Sequence, residues 1–297
     1  METFEPVSSK LLLFGEYSIL AGASAITLPL RDYSARLVLP ESADGTDIES
    51  NEVLKKYIHY LEGNDDLKEH IDVGGLHSLV DEGLYLQSNI PQGYGLGSSA
   101  SLCVAIYKSF GLTKLDHLLE LKELYALMES YFHGKSSGLD PLTVHANRIL
   151  YANSGQVECL PENYDLFEDG MYVYLLDSNI RRNSAQLITT FRNLLDEEEY
   201  KTEFSLKYLP LLEKVVADIK VKSQVLWADL LEFSKMQFIF FQKMIPGSIY
   251  RVWEQSLSTG EICFKLLGAG GGGFFLVFSR EKLNRLGELN LIPILNT

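Results

Sequence analysis

The chain is short of the features that mark several large protein classes. It has three cysteines, Cys103, Cys159 and Cys263, far apart in sequence. So sparse and odd a set builds no disulfide framework and fits thiols kept reduced in a cytosol. Basic residues are in deficit, with 26 Lys and Arg against 40 Asp and Glu and a net charge of −14. A nucleic-acid binder needs a basic footprint, so no nucleic-acid partner is expected. No apolar run approaches the ~20 residues of a membrane-spanning helix, so no membrane partner is expected. The N-terminus has no basic segment ahead of an apolar core, so no signal peptide is expected. Six histidines offer no pair at metal-ligand spacing, which argues against a structural zinc site. The expectation is a soluble, cytoplasmic protein without membrane partners.

What is present is ordinary globular composition, 46% apolar and 22% charged over 297 residues, enough for two domains. Glycine is distributed unevenly. The stretch Pro91-Gln92-Gly93-Tyr94-Gly95-Leu96-Gly97-Ser98-Ser99-Ala100-Ser101 follows a strand-like run and precedes the apolar Leu102–Ile106. It reads as strand, glycine-rich turn and helix start. Such a turn lets successive backbone N–H groups face an anion, and the helix dipole adds partial positive charge. It is neither a Walker A segment nor a G-x-G-x-x-G fingerprint, because it lacks the lysine and the spacing. A tight strand-to-helix connection that binds nothing is the alternative.

A second run, Lys265-Leu266-Leu267-Gly268-Ala269-Gly270-Gly271-Gly272-Gly273, leads into the strand-like Phe274–Phe278. A flexible linker would sit among polar residues. Apolar flanks point instead to a structured loop where backbone passes close to something bulky. A third segment, Ser9 to Gly22, brackets a short apolar run between Lys10 and Glu16. Either charge alone reads as a solvated surface group.

Together these segments resemble the GHMP kinases. Pro91–Ser101 is similar to the family's P-x-x-x-G-L-G-S-S-A loop, and Lys265–Gly273 to its K-x-x-G-A-G-G-G-G. Lys10–Tyr17 resembles the K-x-x-L-x-G-E-H/Y of the mevalonate kinase branch, and Glu129–Asp140 its E-x-x-x-H-G-x-P-S-G-x-D. Asp177–Ser184 looks like the strand end where an Arg-x-Ser/Thr follows. Two positions depart from the pattern: Ser136 replaces a proline, and Pro141 replaces an asparagine.

The resemblance implies an α+β fold of two domains. Residues 1–163 would form a domain like the second domain of ribosomal protein S5, and residues 164–297 a ferredoxin-like domain. It implies ATP and Mg²⁺ as cofactors and a small-molecule alcohol as phosphoryl acceptor, mevalonate before phosphomevalonate or a sugar. Gly93, Gly95, Leu96, Gly97, Ser98 and Ser99 would hold the ATP phosphates, and Ser99 and Glu129 the Mg²⁺. Asp140 would meet the attacking hydroxyl, with Lys10 and Glu16 completing the catalytic array. Arg182 would grip a substrate carboxylate, and Gly270, Gly271 and Gly272 would approach the acceptor or the phosphates. A phosphorylating decarboxylase is disfavoured by Glu129, and a non-catalytic relative by the presence of Lys10 and Asp140. A homodimer is left open.

Coarse periodicity predicts strands at Leu11–Leu13, Ala25–Leu30, Ser34–Leu39 and Gly83–Asn89, and helices at Glu52–Leu61 and Leu115–Tyr131. In the second helix Leu118, Leu121, Leu124, Tyr125 and Met128 form an apolar stripe. A hairpin turn is expected at Asn153-Ser154-Gly155. Later helices are expected over Ala185–Leu195, Tyr208–Ile219 and Gln224–Phe241, then strands at Ile262–Leu266 and Phe274–Phe278.

Overall fold

The computed structural model describes residues 2–162, 166–167, 170–181, 184–221 and 227–296. The described residues form two antiparallel sheets. The first contains β1 (Glu2–Thr3), β2 (Val7–Phe14), β3 (Ala25–Leu39), β4 (Tyr85–Ser88), β5 (Leu150–Asn153) and β6 (Gln156–Cys159). The second contains β7 (Tyr172–Asp177), β8 (Ile262–Leu266), β9 (Phe274–Ser279) and β10 (Leu291–Asn296). The expected division at 163/164 lies outside the described residues. The first sheet ends at Cys159 and the second begins at Tyr172.

Helices α1 (Ile48–Glu62), α2 (Asp65–His70), α3 (Val73–Asp81), α4 (Ser98–Phe110), α5 (Leu118–His133) and α6 (Leu139–Ala146) interrupt the first sheet. Helices α7 (Ser184–Leu195), α8 (Glu198–Glu203), α9 (Leu209–Lys220), α10 (Trp227–Phe240) and α11 (Gly247–Thr259) all lie between β7 and β8. The first three helices start alike. Asp47, Asn64 and Asp72 each accept a backbone N–H of the first turn through the side chain, which supplies a partner that helix starts otherwise lack.

Strand β3 is the spine of the first sheet, pairing with β1, β2, β4 and β5. Sequence periodicity divides it at Arg31-Asp32-Tyr33, but it is one strand. The register against β2 jumps there, from Ser8↔Ser34 to Ser9↔Leu30. The polar triplet is therefore accommodated as a bulge, which bends a strand without ending it. The hairpin at Asn153 forms as expected, with Ser154 and Gly155 both at positive φ between β5 and β6.

The second sheet has the order β10-β7-β9-β8. That is the strand arrangement of a ferredoxin-like βαββαβ unit. The crossover before β10 carries no helix among the described residues; 280–290 is an irregular connection.

The two sheets share an apolar junction. Phe14, at the end of β2, meets Phe233 of α10 edge-on at 5.3 Å. Tyr17 packs on Phe191 and Phe241, at 4.5 and 5.2 Å between ring centroids. Burying aromatic rings of this size contributes about 1.5–3 kcal/mol each. Polar ties reinforce the junction: the backbone N–H and hydroxyl of Ser24 both donate to the Glu213 carboxylate on α9, each at 2.6 Å. No described helix is long and apolar enough to cross a membrane.

Candidate active site

Strand β4 runs into the glycine loop, and α4 begins at Ser98 with Gly97 as its N-cap. Gly97 has φ +76, and a Cβ there would meet Cγ and Cε of Lys10 at 2.8 and 2.9 Å. Only glycine satisfies both the left-handed backbone and the close passage of the lysine. The loop is fastened to β2: the Lys10 N–H donates to the Leu96 carbonyl at 3.2 Å, and the Ser101 hydroxyl to the Ser8 carbonyl at 3.0 Å. The first-turn N–H groups of α4 therefore point from a fixed platform, with the positive end of the helix dipole behind them.

Lys10 crosses Gly97 to pair with Asp140 at 2.6 Å. The lysine side chain is 5% exposed and the aspartate 34%. Asp140 lies in the first turn of α6, which starts after Gly138. Its neighbour Pro141 sits in that same first turn, where a missing N–H costs nothing. The ion pair thus presents one carboxylate to the cleft while its cation stays buried.

Glu129 lies beside the buried stripe Leu121, Leu124, Tyr125 and Met128 of α5 and is itself 3% exposed. It accepts from the Ser99 hydroxyl at 3.2 Å and from the Ser136 hydroxyl at 2.5 Å. Burial, and then the charge of Asp140, push its carboxyl up to about 7. Lys10 and the two hydroxyls oppose that shift. Ser99 also reaches Nε2 of His133 at 3.1 Å. The cluster Ser99, Glu129, His133 and Ser136 therefore gathers at the start of α4.

Ser136 was visible in the sequence only as a departure from a pattern. Its hydroxyl also accepts the Gly138 N–H at 3.0 Å, so it ties the acid to the turn that carries Asp140. His133 gave no metal-pair spacing, and its contact with Ser99 depends on how the ends of α4 and α5 meet.

Glu16 is placed differently from Lys10 and Asp140. It is fully buried and pairs with Lys265 of β8, whose side chain is also buried. Lys265 donates a second hydrogen bond to the Leu266 carbonyl at 2.7 Å. Burial pushes the Glu16 carboxyl up and the Lys265 ammonium down, and each charge opposes the shift of the other. The acid sits under the cleft, between the sheets, rather than at its surface.

The glycine run 270–273 makes its close approaches to its own chain. A Cβ on Gly270 would meet the Met244 carbonyl oxygen at 2.8 Å, and one on Gly271 the Leu187 side chain at 2.4 Å. At Gly272 it would meet the Ile180 carbonyl oxygen at 2.4 Å, and at Gly273 the Cα of Tyr94 at 2.7 Å. Gly273 thus brings the second sheet against the glycine loop of the first. The Tyr94 ring closes that contact edge-on to Phe274 at 4.9 Å. Arg182 lies outside the described residues.

Beside the loop opens a cavity of about 1060 Å³, lined by Gly93, Ser98, Ser99 and His133 and extending to Asp47 and Tyr85. The fold and this loop resemble those of the GHMP kinases. Residues 53–146 match the family model of the GHMP kinases N terminal domain. More particularly, the chain is similar to mevalonate kinases. It is 29% identical to the Pyrococcus abyssi mevalonate kinase, over 92% of this chain and 88% of that one. The solved Methanococcus jannaschii mevalonate kinase has a similar fold, with a TM-score of 0.63 at 19% identity, covering 99% of this chain and 98% of the other. The Streptococcus pneumoniae phosphomevalonate kinase, solved with phosphomevalonate and AMPPNP, also shares the fold, with a TM-score of 0.63 at 16% identity over 95% and 93% of the chains.

Proposed function

We propose that the chain is an ATP-dependent kinase that transfers the γ-phosphoryl group to the hydroxyl of mevalonate. The observation that supports this most directly is the Lys10–Asp140 pair at 2.6 Å beside a glycine loop that opens a helix. Phosphoryl transfer asks a protein for positioning and charge neutralisation more than for covalent chemistry. The loop N–H groups from Gly93 to Ser99 bind phosphate oxygens. Asp140, partly exposed, accepts the proton of the attacking hydroxyl. Lys10, held over Gly97, orients that carboxylate and places positive charge beside the transferred group.

The donor set at Ser99 and Glu129 suits Mg²⁺, since a buried carboxylate beside hydroxyl oxygens offers the hard ligands that ion takes. Bound there, Mg²⁺ would neutralise charge on the phosphates. Ser136 and His133 hold the two ligands in place, and Glu16 with Lys265 supports the array from beneath. Arg182 is proposed to grip the acceptor carboxylate. The division into residues 1–163 and 164–297 belongs to the same reading.

The test is an ATP-consumption screen with mevalonate, phosphomevalonate, homoserine and galactose. Mevalonate should be the preferred acceptor. Asp140→Asn and Lys10→Met should each lower kcat by roughly 10²-fold or more with ATP still bound. The double variant should lose less than the product, because the two groups act as one unit. Phosphomevalonate as the best acceptor would move the chain to the neighbouring kinase, and unchanged turnover in Asp140→Asn would remove its assigned role.

A further inference from the structure

The phosphate loop lacks the lysine that a Walker A segment carries, and Lys10 is engaged with Asp140. Beyond Lys10, the loop N–H groups and Mg²⁺, a side chain facing the triphosphate from the other side of the cleft would add positive charge. Among the described residues the cavity lining contains Asp44, Asp47 and Glu49, and a single lysine or arginine, Arg181. Among the described residues that arginine is also the only lining residue from the second half of the chain. We propose that Arg181 is a phosphate-binding residue, contributed by the second sheet across the cleft to the β- and γ-phosphates of the nucleotide. The inference rests on the kinase reading above and assigns one further ligand within it.

The position of Arg181 is built. β7 ends at Asp177, and Ser178 donates to the Gly273 carbonyl through both its N–H, at 3.1 Å, and its hydroxyl, at 2.7 Å. The Gly273 N–H returns a bond to the Ile180 carbonyl at 2.7 Å. Asn179 turns the chain between them with φ +55, its N–H bonded to the Asp177 carboxylate at 2.8 Å. Three bonds therefore clamp residues 178–180 to Gly273, and Gly273 abuts Tyr94 of the phosphate loop. Tyr94 in turn lies within electrostatic reach of both Asp177 and Arg181. The guanidinium therefore leaves a fixed turn at the rim of the loop. Among the described residues Arg181 makes no ion pair, so its fork of donors is available to phosphate oxygens.

The experiment compares binding of adenosine, ADP and ATP to the full chain, with steady-state kinetics for both substrates. Arg181→Ala should weaken ATP on the order of tenfold or more, ADP less, and adenosine within about twofold. The KM for the acceptor should hold. Arg181→Lys should recover part of the loss, since it restores charge without the planar fork. Arg181 is exposed, so both variants should fold. Equal weakening of adenosine and ATP would overturn the proposal, as would a rise confined to the acceptor KM, which would put Arg181 on the acceptor side. A wild-type chain that binds no adenine nucleotide would overturn the kinase reading itself, a result seen before any variant is made.

Discussion

Lys265→Met removes half of an ion pair whose two side chains are 1% and 0% exposed. The carboxylate of Glu16 then remains between the two sheets with its cation gone. Removing one partner of a buried pair costs about 3–5 kcal/mol, because the surviving group must either stay charged without water or counter-ion or change its protonation state. For a chain of this size that corresponds to a fall in Tm of about 5–10 °C. Glu16→Leu should cost a similar amount by leaving the ammonium. The double variant, Glu16→Leu with Lys265→Met, should recover most of the loss, since apolar side chains can fill such a site near neutrally. The coupling energy of the cycle should then be about 3 kcal/mol or more.

The pH dependence carries a sign. In Lys265→Met the folded state keeps Glu16 neutral by holding a proton that the unfolded chain releases above its ordinary range. The penalty therefore grows as pH rises and shrinks as it falls, by up to about 1.4 kcal/mol per pH unit. Urea unfolding followed by tryptophan fluorescence is the assay. Trp227 and Trp253 lie on α10 and α11, and Trp253 stacks on Phe264, next to Lys265, at 5.6 Å. Single variants that each cost under about 1 kcal/mol, with additive effects, would refute the view that this pair joins the sheets.

Two further outcomes test other parts of the fold. His145 bonds the Tyr125 hydroxyl at 2.7 Å, and burial, then Lys108, push its ring down to about 4. The unfolded chain then binds the extra proton between about pH 6.5 and 4, so stability should fall as pH drops through that window, by at most about 3 kcal/mol less what solvent screening removes. His145→Gln should flatten that slope in denaturant titrations at several pH values; an unchanged slope would place the proton uptake elsewhere. Gly273→Ala and Gly287→Ala both put a side chain at positive φ, +68 and +61, but only the first would strike the Tyr94 backbone, while the second meets open space. Gly287→Ala should cost about 1–2 kcal/mol and leave kinetics alone, whereas Gly273→Ala should cost more and raise the KM for ATP. Matching effects in the two would mean that the glycine run does not support the phosphate loop.

Much of the site was legible in local sequence because its chemistry is local. A glycine turn that ends at a helix start must expose N–H groups, so residues 93–99 read as a candidate anion site from local sequence, and the structure puts that turn at the start of α4. The helical spacing of Leu121, Leu124, Tyr125 and Met128 marked the buried face of α5, and the apolar flanks of the second glycine run marked it as structured. Strand β3 was misread as two because a polar triplet looks like a break. Whether it becomes a loop or a bulge depends on the neighbouring strand, which a single segment does not reveal. The partners of charged groups were not legible in local sequence; the family resemblance alone put Lys10 with Asp140, and nothing put Glu16 with Lys265. Nothing within Ser9–Gly22 distinguishes Lys10, which reaches Asp140, from Glu16, which turns under the cleft to Lys265 some 249 residues away. Alternation along β2 sets which face a side chain takes, but only the packing of the second sheet decides what waits there. The same holds for Ser136, Arg181 and Gly273. Their sequence neighbours set the backbone each can adopt, and the meeting of two sheets, a long-range event driven by burial of Phe14 and Tyr17, decides what each one touches.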